Sequence, residues 1–247
     1  MQISATYYGA NGWLIQLGSI RILIDPWLNG QLSFPPGDWL IKGELNKEVT
    51  PPPNITYLLL TQGQADHSHT PTLSKLDKSI TVIASNAASK VVRKLGYKRI
   101  IPLTPGESFK NDVLTIEATA GAPVPNIENG YIIDHPCGSI YIEPHGFLDV
   151  KVKARNIDLV ITPVIDFALP IAGKFIKGKS ILPKLITLFK PKTLFSSTTG
   201  GDIRFTGILN KFISVEGTTD DESIFINTST KYINPKPYYK YLLTDDN

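Results

Sequence analysis

YLLLTQGQADHSHTPTL, residues 57–73, is the stretch that decides the fold of this 247-residue chain. Its apolar beginning, residues 57–60, predicts a short buried strand, and residues 61–69 form a polar loop. A helix is expected next, with Thr70 as its N-cap and Pro71 in the first turn, where the missing N–H costs nothing. This order of strand, polar loop and helix places reactive side chains at the carboxyl end of a strand.

The composition is that of an ordinary globular chain. Hydrophobic residues make up 42% and charged residues 19% of the sequence, which is typical of a protein with a buried core. The formal net charge of +3 is too small to indicate a nucleic-acid partner. Cys137 is the only cysteine, so an internal disulfide is excluded. With an N-terminus unlike a signal peptide and no long apolar run, we expect a cytoplasmic location.

The residues before the central stretch predict a β-meander and a long loop. Strands are expected at 2–8, 13–17 and 20–24, with a hairpin turn at Asn11-Gly12. Asp25 stands where the third strand ends. Residues 29–54 are rich in glycine and proline, and we expect them to form an irregular loop that walls a pocket near Asp25.

The residues after the central stretch predict one more α/β segment and then a β-rich half. We expect a helix at 86–95 with Asn86 as N-cap, and a final helix near 203–213. The expected strands are 80–84, 98–102, 107–109, 113–119, 130–134, 139–143, 157–162 and 193–196, with an irregular loop at 120–125. Residues 1–247 are expected to form a single domain, with a Lys-rich apolar insert at 163–192, whose helix begins near Ser180, and a C-terminal arm of unassigned structure at 214–247.

Polar loops follow Asp25, Thr61, Thr119, Glu143 and Phe195 in that order. Together with the opening pattern Gly-x-x-Gly-Trp-Leu-Ile…Arg-Ile-Leu-Ile-Asp-Pro-Trp, this order resembles the metallo-β-lactamase fold superfamily. The resemblance is strongest to the branch of sugar-lactone hydrolases and phospholipase-D-type acylethanolamine hydrolases, and it covers roughly residues 3–210. It implies an α/β (α+β) fold, a four-layer αββα sandwich, with an active site where the two sheets meet at one edge.

The main motif of that superfamily, His-x-His-x-Asp-His, is degenerate in this chain. It reads Gln62-Gly63-Gln64-Ala65-Asp66-His67, so glutamines replace the first two histidines. The usual pair of metal ions requires five histidines, and this chain has four. The resemblance therefore implies at most one metal ion.

The other metal-ligand positions of the superfamily are also changed. The third histidine falls near Gly121 or Ala122, neither of which has a side chain that can bind a metal. The bridging aspartate is matched best by His145, with Glu143 close by. The last histidine falls near Thr198 or Thr199.

Two interpretations of the site remain open. In the first, Asp66, His67 and His145, with His69 or Glu143 as a fourth group, hold one divalent ion of zinc, iron or manganese. Asp66 and His67 are then catalytic, because the ion activates a water whose proton Asp66 or Glu143 accepts. In the second, no native metal binds, and glutamine side chains hold a polar network. Residues expected in the pocket or behind the ligands are Asp25, Gln62, Gln64, Glu143, Thr198 and Thr199.

These interpretations lead to two functions. The first is a diverged hydrolase with a reduced, at most mononuclear metal site that acts on a small ester, lactone or phosphodiester. The alternative is a catalytically inactive ligand-binding or scaffold protein that retains the fold without native metal. Both have a small-molecule partner and no nucleic-acid partner. The six lysines of residues 174–192 also allow a weak contact with a membrane or an acidic partner, although a helix covering the sheet is the favoured interpretation.

Overall fold

A computed structural model describes residues 2–123, 127–170 and 173–244. Its strands, in chain order, are β1 Gln2–Gly9, β2 Gly12–Leu17, β3 Ile20–Ile24, β4 Gln31–Ser33, β5 Lys42–Leu45, β6 Tyr57–Leu60, β7 Thr81–Ala84, β8 Ile100–Pro102, β9 Ser108–Lys110, β10 Thr115–Pro123, β11 Ile127–His135, β12 Gly138–Ile142, β13 Leu159–Thr162, β14 Asp166–Leu169, β15 Gly173–Lys177, β16 Thr193–Ser196, β17 Ile203–Thr206, β18 Ser214–Glu216, β19 Lys231–Ile233 and β20 Lys240–Thr244. The α-helices are α1 Thr70–Lys75, α2 Asn86–Lys94 and α3 Gly178–Phe189. Among these residues, no helix is long and apolar enough to cross a membrane.

Two seven-stranded sheets carry the fold. The first has the order β20-β1-β2-β3-β6-β7-β8, and the second has the order β19-β16-β13-β12-β11-β10-β9. Each sheet joins an antiparallel meander to a run of parallel strands. The two halves of the chain therefore repeat one plan, and the loops after the parallel strands emerge at one edge of each sheet.

Three hydrophobic clusters separate the layers. Side chains of both sheets, including Trp13 and Phe195 with ring centroids 5.3 Å apart, form the central core. Leu73 and Val92 of α1 and α2 pack on the outer face of the first sheet. Phe189 of α3 packs on the outer face of the second sheet. The expected α+β fold, a four-layer αββα sandwich, is confirmed.

Both predicted helix caps are displaced by one residue. The N-cap of α1 is His69, whose Nδ1 accepts a hydrogen bond from the backbone N–H of Thr72 at 3.3 Å. The N-cap of α2 is Ser85, whose hydroxyl oxygen accepts from the backbone N–H of Ala88 at 3.3 Å. In each case the preceding side chain reaches the orphan N–H groups of the first turn, so the cap does not fall on Thr70 or Asn86.

The final helix predicted near 203–213 is wrong. Residues 203–206 form β17, which pairs antiparallel with β5, and a short 3₁₀ helix follows at Leu209–Lys211. β17 contains isoleucine, phenylalanine and threonine, which favour a strand once a partner is available. That partner lies inside the predicted irregular loop 29–54, which contains β4 and β5 rather than being wholly irregular.

Three other segments acquire definite structure. The predicted loop 120–125 is wrong as far as residue 123, because β10 continues through it, and residues 124–125 lie outside the described residues. The insert at 163–192 forms the hairpin β14–β15 and then α3, which begins at Gly178 rather than near Ser180. The C-terminal arm supplies β18, β19 and β20 to three different sheets.

A close backbone approach fixes the insert against the end of the second sheet. A Cβ built on Gly146 would lie 2.4 Å from the backbone N of Gly178. A Cβ built on Gly178 would lie 2.3 Å from the carbonyl O of Pro163. The backbone N–H of Lys177 also donates to the carbonyl O of His145 at 2.8 Å. The beginning of α3 is therefore packed against the loop that carries His145.

We expect Gly178→Ala to lower the free energy of unfolding by about 2 kcal/mol or more, since the added methyl group must displace backbone atoms. Gly200→Ala is the matched control, because its Cβ would meet the Tyr7 ring at an ordinary contact of 3.4 Å. Chemical denaturation of the two variants and the wild type measures the difference. Equal losses of stability would contradict the close approach.

Candidate functional site

The candidate site lies where three strand ends meet. Asp25 follows β3, residues 61–67 follow β6, and residues 143–145 follow β12. Within the first sheet, the backbone N–H of Asp25 donates to the carbonyl O of Leu59 at 3.1 Å. Between the sheets, the backbone N–H of Asn129 donates to the carbonyl O of Thr61 at 3.2 Å. The structure thus brings Asp25, Asp66, His67, Glu143 and His145 to one edge.

His67 is fully buried between two carboxylates. Its Nδ1 lies 2.8 Å from Oδ2 of Asp25, and its Nε2 lies 3.1 Å from Oδ2 of Asp66. Both ring nitrogens can donate only in the imidazolium form. Burial disfavours that charge, but the attraction of Asp66 and Asp25 outweighs burial and raises the pKa of His67 to about 10.

The two carboxylates are held by further donors. The backbone N–H of Thr61 donates to Oδ1 of Asp25 at 2.8 Å, and the Thr61 hydroxyl donates to Oδ2. Nδ2 of Asn11 donates to Oδ2 of Asp66 at 3.3 Å. Burial raises the pKa of Asp25. Burial also disfavours the charge on Asp66, yet His67 lowers the pKa of that carboxyl below its usual value. We call Asp25, His67 and Asp66 the ionic network.

Behind the ionic network, His145 is neutral. Burial and the nearby charge of His67 lower the pKa of His145 to about 3. Its Nδ1 therefore accepts a hydrogen bond, and Nε2 of Gln62 donates to it at 2.8 Å. The rings of His67 and His145 lie 5.1 Å apart. Gln62, at the first histidine position of the motif, thus binds a histidine side chain directly.

Glu143 occupies the space next to the third histidine position. A Cβ built on Gly121 would lie 3.1 Å from Oε1 of Glu143, so a larger side chain there would displace the carboxyl group. Oε2 of Glu143 accepts from the backbone N–H groups of His145 at 3.1 Å and Phe147 at 2.6 Å. Burial raises the pKa of Glu143 to about 7. Its Oε1 is buried and has no hydrogen-bond partner among the described residues.

His69 is engaged elsewhere. Its Nε2 donates to the carbonyl O of Gln31 at 3.0 Å, and its Nδ1 caps α1 and lies 3.0 Å from the Thr72 hydroxyl. The structure does not bring the His69 ring nitrogens to the ionic network. Gln64 lies in the same loop, where its carbonyl O accepts from the N–H groups of His67 and Ser68. Gln64 and His69 both line an open cleft of about 770 Å³.

The donor set does not fit the metal pair of the superfamily. Within residues 2–123, 127–170 and 173–244, no three His, Cys, Asp or Glu side chains are grouped so that they could hold a metal ion. Catalytic zinc sites normally have three protein ligands and an open position. Here both ring nitrogens of His67 are within hydrogen-bond distance of carboxylates, and Nδ1 of His145 accepts a hydrogen bond from Gln62. The hydroxyl of Thr198, at the last histidine position, donates to the carbonyl O of Pro144 at 2.7 Å.

An apolar pocket opens beside Asp66. Its volume is about 300 Å³, its polar floor is formed by Asn11, Asp66, Thr198 and Thr199, and Asn210 is a further polar residue of its lining. The walls come from three segments: the loop 29–54, the insert 163–192 and residues 203–215. The sequence predicted a wall only for the first of these segments. For Asn11 the sequence indicated only a hairpin turn. Its contact with Asp66 could not be inferred, because the two residues are 55 positions apart in the chain.

Comparison with known proteins identifies the family. A family model described as "Beta-lactamase superfamily domain" matches residues 4–196, which is more than half of the chain. This match confirms the superfamily expected from the polar loops and the opening pattern.

Several solved structures share the fold. A possible metal-dependent hydrolase from Veillonella parvula has a TM-score of 0.68 at 14% identity, covering 97% of this chain and 99% of that chain. Igni18, a novel metallo hydrolase from the archaeon Ignicoccus hospitalis, has a TM-score of 0.64 at 14% identity, covering both chains completely. An isothiocyanate hydrolase from Delia radicum gut bacteria has a TM-score of 0.61 at 19% identity, covering 81% of this chain and 85% of that chain. At these identities the similarity concerns the fold, and together with the family match it shows that the chain belongs to the beta-lactamase superfamily and has the metallo-β-lactamase fold.

Proposed function

We propose that this member of a hydrolase superfamily binds a small organic molecule without a resident metal ion. The observation that carries the proposal is the position of His67, whose two ring nitrogens lie 2.8 and 3.1 Å from two carboxylates. A metal ion would need a lone pair on one of these nitrogens. In the imidazolium form neither nitrogen has one.

The protonated ring supplies the positive charge that the site needs. Two buried carboxylates close together would each carry a large desolvation cost without a cation between them. His67 provides that cation from within the chain, and Thr61 and Asn11 donate further hydrogen bonds to Asp25 and Asp66. The ionic network therefore has a cation of its own between its two carboxylates.

The pocket supports ligand binding rather than hydrolysis. Its volume of about 300 Å³ lies at the lower end of the usual range for small-molecule sites. A general base must reach the substrate with a free lone pair. His67 lacks one, the low pKa of Asp66 makes that carboxylate a weak base, and Glu143 and His145 do not line this pocket.

A second candidate is hydrolysis of a small ester, lactone or phosphodiester around one metal ion. One observation favours it: Nε2 of His67 and Oδ2 of Asp66 are 3.1 Å apart, which matches two ligands at about 2.1 Å from a common ion. Oδ1 of Asp66 is also buried without a partner among the described residues. Zinc, iron or manganese would be the ions expected at such nitrogen and oxygen ligands.

The insert contributes less free positive charge than its sequence indicates. Lys174 lies 2.7 Å from Asp166 and 2.8 Å from Glu216, and Lys179 lies 3.5 Å from Glu216. Lys177 lies over the ring of Phe147. A weak contact with a membrane or an acidic partner, a cytoplasmic location and the lack of a nucleic-acid partner stay predictions.

Metal content separates the two candidates. We expect untagged protein incubated with zinc, manganese or iron and then dialysed to retain far less than one ion per chain, measured by mass spectrometry. A chelator should leave its melting temperature unchanged, since an ion stabilises only the state that binds it. About one ion per chain, lost in Asp66→Ala and in His67→Ala, would instead establish the mononuclear site.

Removal of the buried cation should be costly. We expect His67→Gln to lower the free energy of unfolding by about 3–5 kcal/mol, because Asp25 and Asp66 then lack their cation. His135→Gln is the matched control, since His135 is the last residue of β11 and its Nδ1 accepts from the backbone N–H of Cys137 at 3.0 Å. It should cost less than about 1 kcal/mol in chemical denaturation. A similar effect of both substitutions would mean that the ionic network adds no stability.

The same network predicts a pH dependence. The pKa of His67 is raised from 6.5 to about 10 on folding. Its contribution to stability is therefore fully present below pH 6.5 and is lost as the pH rises towards 10. The stability difference between the wild type and His67→Gln should shrink over this interval, because other titrating groups are common to both proteins. A difference that stays constant would show that His67 is not charged in the folded state.

A further inference from the structure

We infer that the pocket beside Asp66 takes a compact apolar molecule that carries an ammonium group or a similarly rich set of N–H donors. This inference rests on the proposed function and names the chemical class of its ligand. It depends on three features: oxygens of the pocket floor that can only accept hydrogen bonds, the carboxylate of Asp66 as the charged group of the floor, and apolar walls.

The floor of the pocket offers acceptors of hydrogen bonds, while the donors of Asn11 and Thr198 are already used. Nδ2 of Asn11 donates to Oδ2 of Asp66 at 3.3 Å. The Thr198 hydroxyl donates its proton to the carbonyl O of Pro144 at 2.7 Å, so its oxygen can only accept from a ligand. The Asp66 side chain is 21% exposed, and its carboxylate likewise only accepts. A ligand with several N–H groups would donate to these oxygens.

The charge at the floor also selects a donor. Asp66 is the only charged side chain among the described residues that line the pocket. An anionic ligand would meet this carboxylate and no N–H donor from a basic side chain. A cation would pair with the carboxylate.

The walls require that the rest of the ligand be apolar and small. Phe34, Phe167, Phe175 and Phe205 surround the space above the floor. A cation next to aromatic faces gains further attraction. The volume of about 300 Å³ fits a compact arylalkylamine or a branched alkylamine better than a long acyl chain.

The test uses the full-length protein in chelator with a matched ligand series. Phenethylamine, its neutral analogue phenylethanol and its anionic analogue phenylpropionate are titrated up to millimolar concentration, with ligand-observed NMR and thermal shift as readouts. We expect the amine to bind at least about tenfold more tightly than the neutral analogue and the carboxylate not to bind. Asp66→Asn should remove the preference for the amine while leaving the weak binding of the neutral analogue. Asp112→Asn removes an exposed carboxylate in the turn between β9 and β10 and is the control for net charge.

Each outcome has a distinct meaning. Equal or tighter binding of the neutral or anionic analogue would overturn the ligand class and leave a metal-free binding pocket in place. No binding of any of the three compounds would overturn the ligand class, whereas about one metal ion retained per chain would overturn the proposed function. A preference for the amine that survives Asp66→Asn would place its binding outside this pocket and overturn the inference. If Asp66→Asn does not fold, the ranking of the three compounds on the wild type still decides.

Discussion

The buried ion pairs of His67 are the interaction on which this site depends. The ring joins a carboxylate that follows β3 to one that follows β6, so it connects the antiparallel and parallel parts of the first sheet at the edge where the superfamily has its active site. Asp25 adopts a left-handed backbone conformation there, with φ of 38°, and the hydrogen bonds of Thr61 hold it. If the proposed function is right, the cation of this edge belongs to the chain, and the charge of the edge depends on protonation instead of on a bound metal ion.

This arrangement separates the stability of the site from its selectivity. The charges of the ionic network pair with one another, and Gln62 donates to His145; of these residues only Asp66 lines the pocket. The walls come from segments outside the repeated sheet plan: the hairpin β14–β15 of the insert, β17 and the loop before β5. Changes in those segments can alter the ligand without disturbing the buried charges, because the two sets of residues meet only at Asn11, Asp66 and the threonines of the floor.

Much of the fold could be predicted from local patterns. Short apolar runs such as residues 57–60, together with turn residues, predict the central strands, and the count of four histidines predicts that the usual metal pair does not form. Non-local contacts could not be predicted in this way. β17 is a strand because it pairs with β5, where Arg204 and Glu44 interact across 160 residues. His69 looked like a ligand by its spacing from His67, but the cap of α1 and the carbonyl of Gln31 hold both its nitrogens. Asn11 could not be predicted as a site residue, because only the folded chain brings its turn next to Asp66.

The protonation state of His67 tests the central claim most directly. Nitrogen-15 NMR of the imidazole rings in metal-loaded and chelator-treated samples, at about pH 8, reports which ring nitrogens carry protons. If the ionic network replaces a metal centre, His67 shows two protonated nitrogens at this pH, below its pKa of about 10, and its signals are the same in both samples. A single protonated nitrogen, with the other shifted by added zinc, would show that the ring is a metal ligand and that the account is wrong.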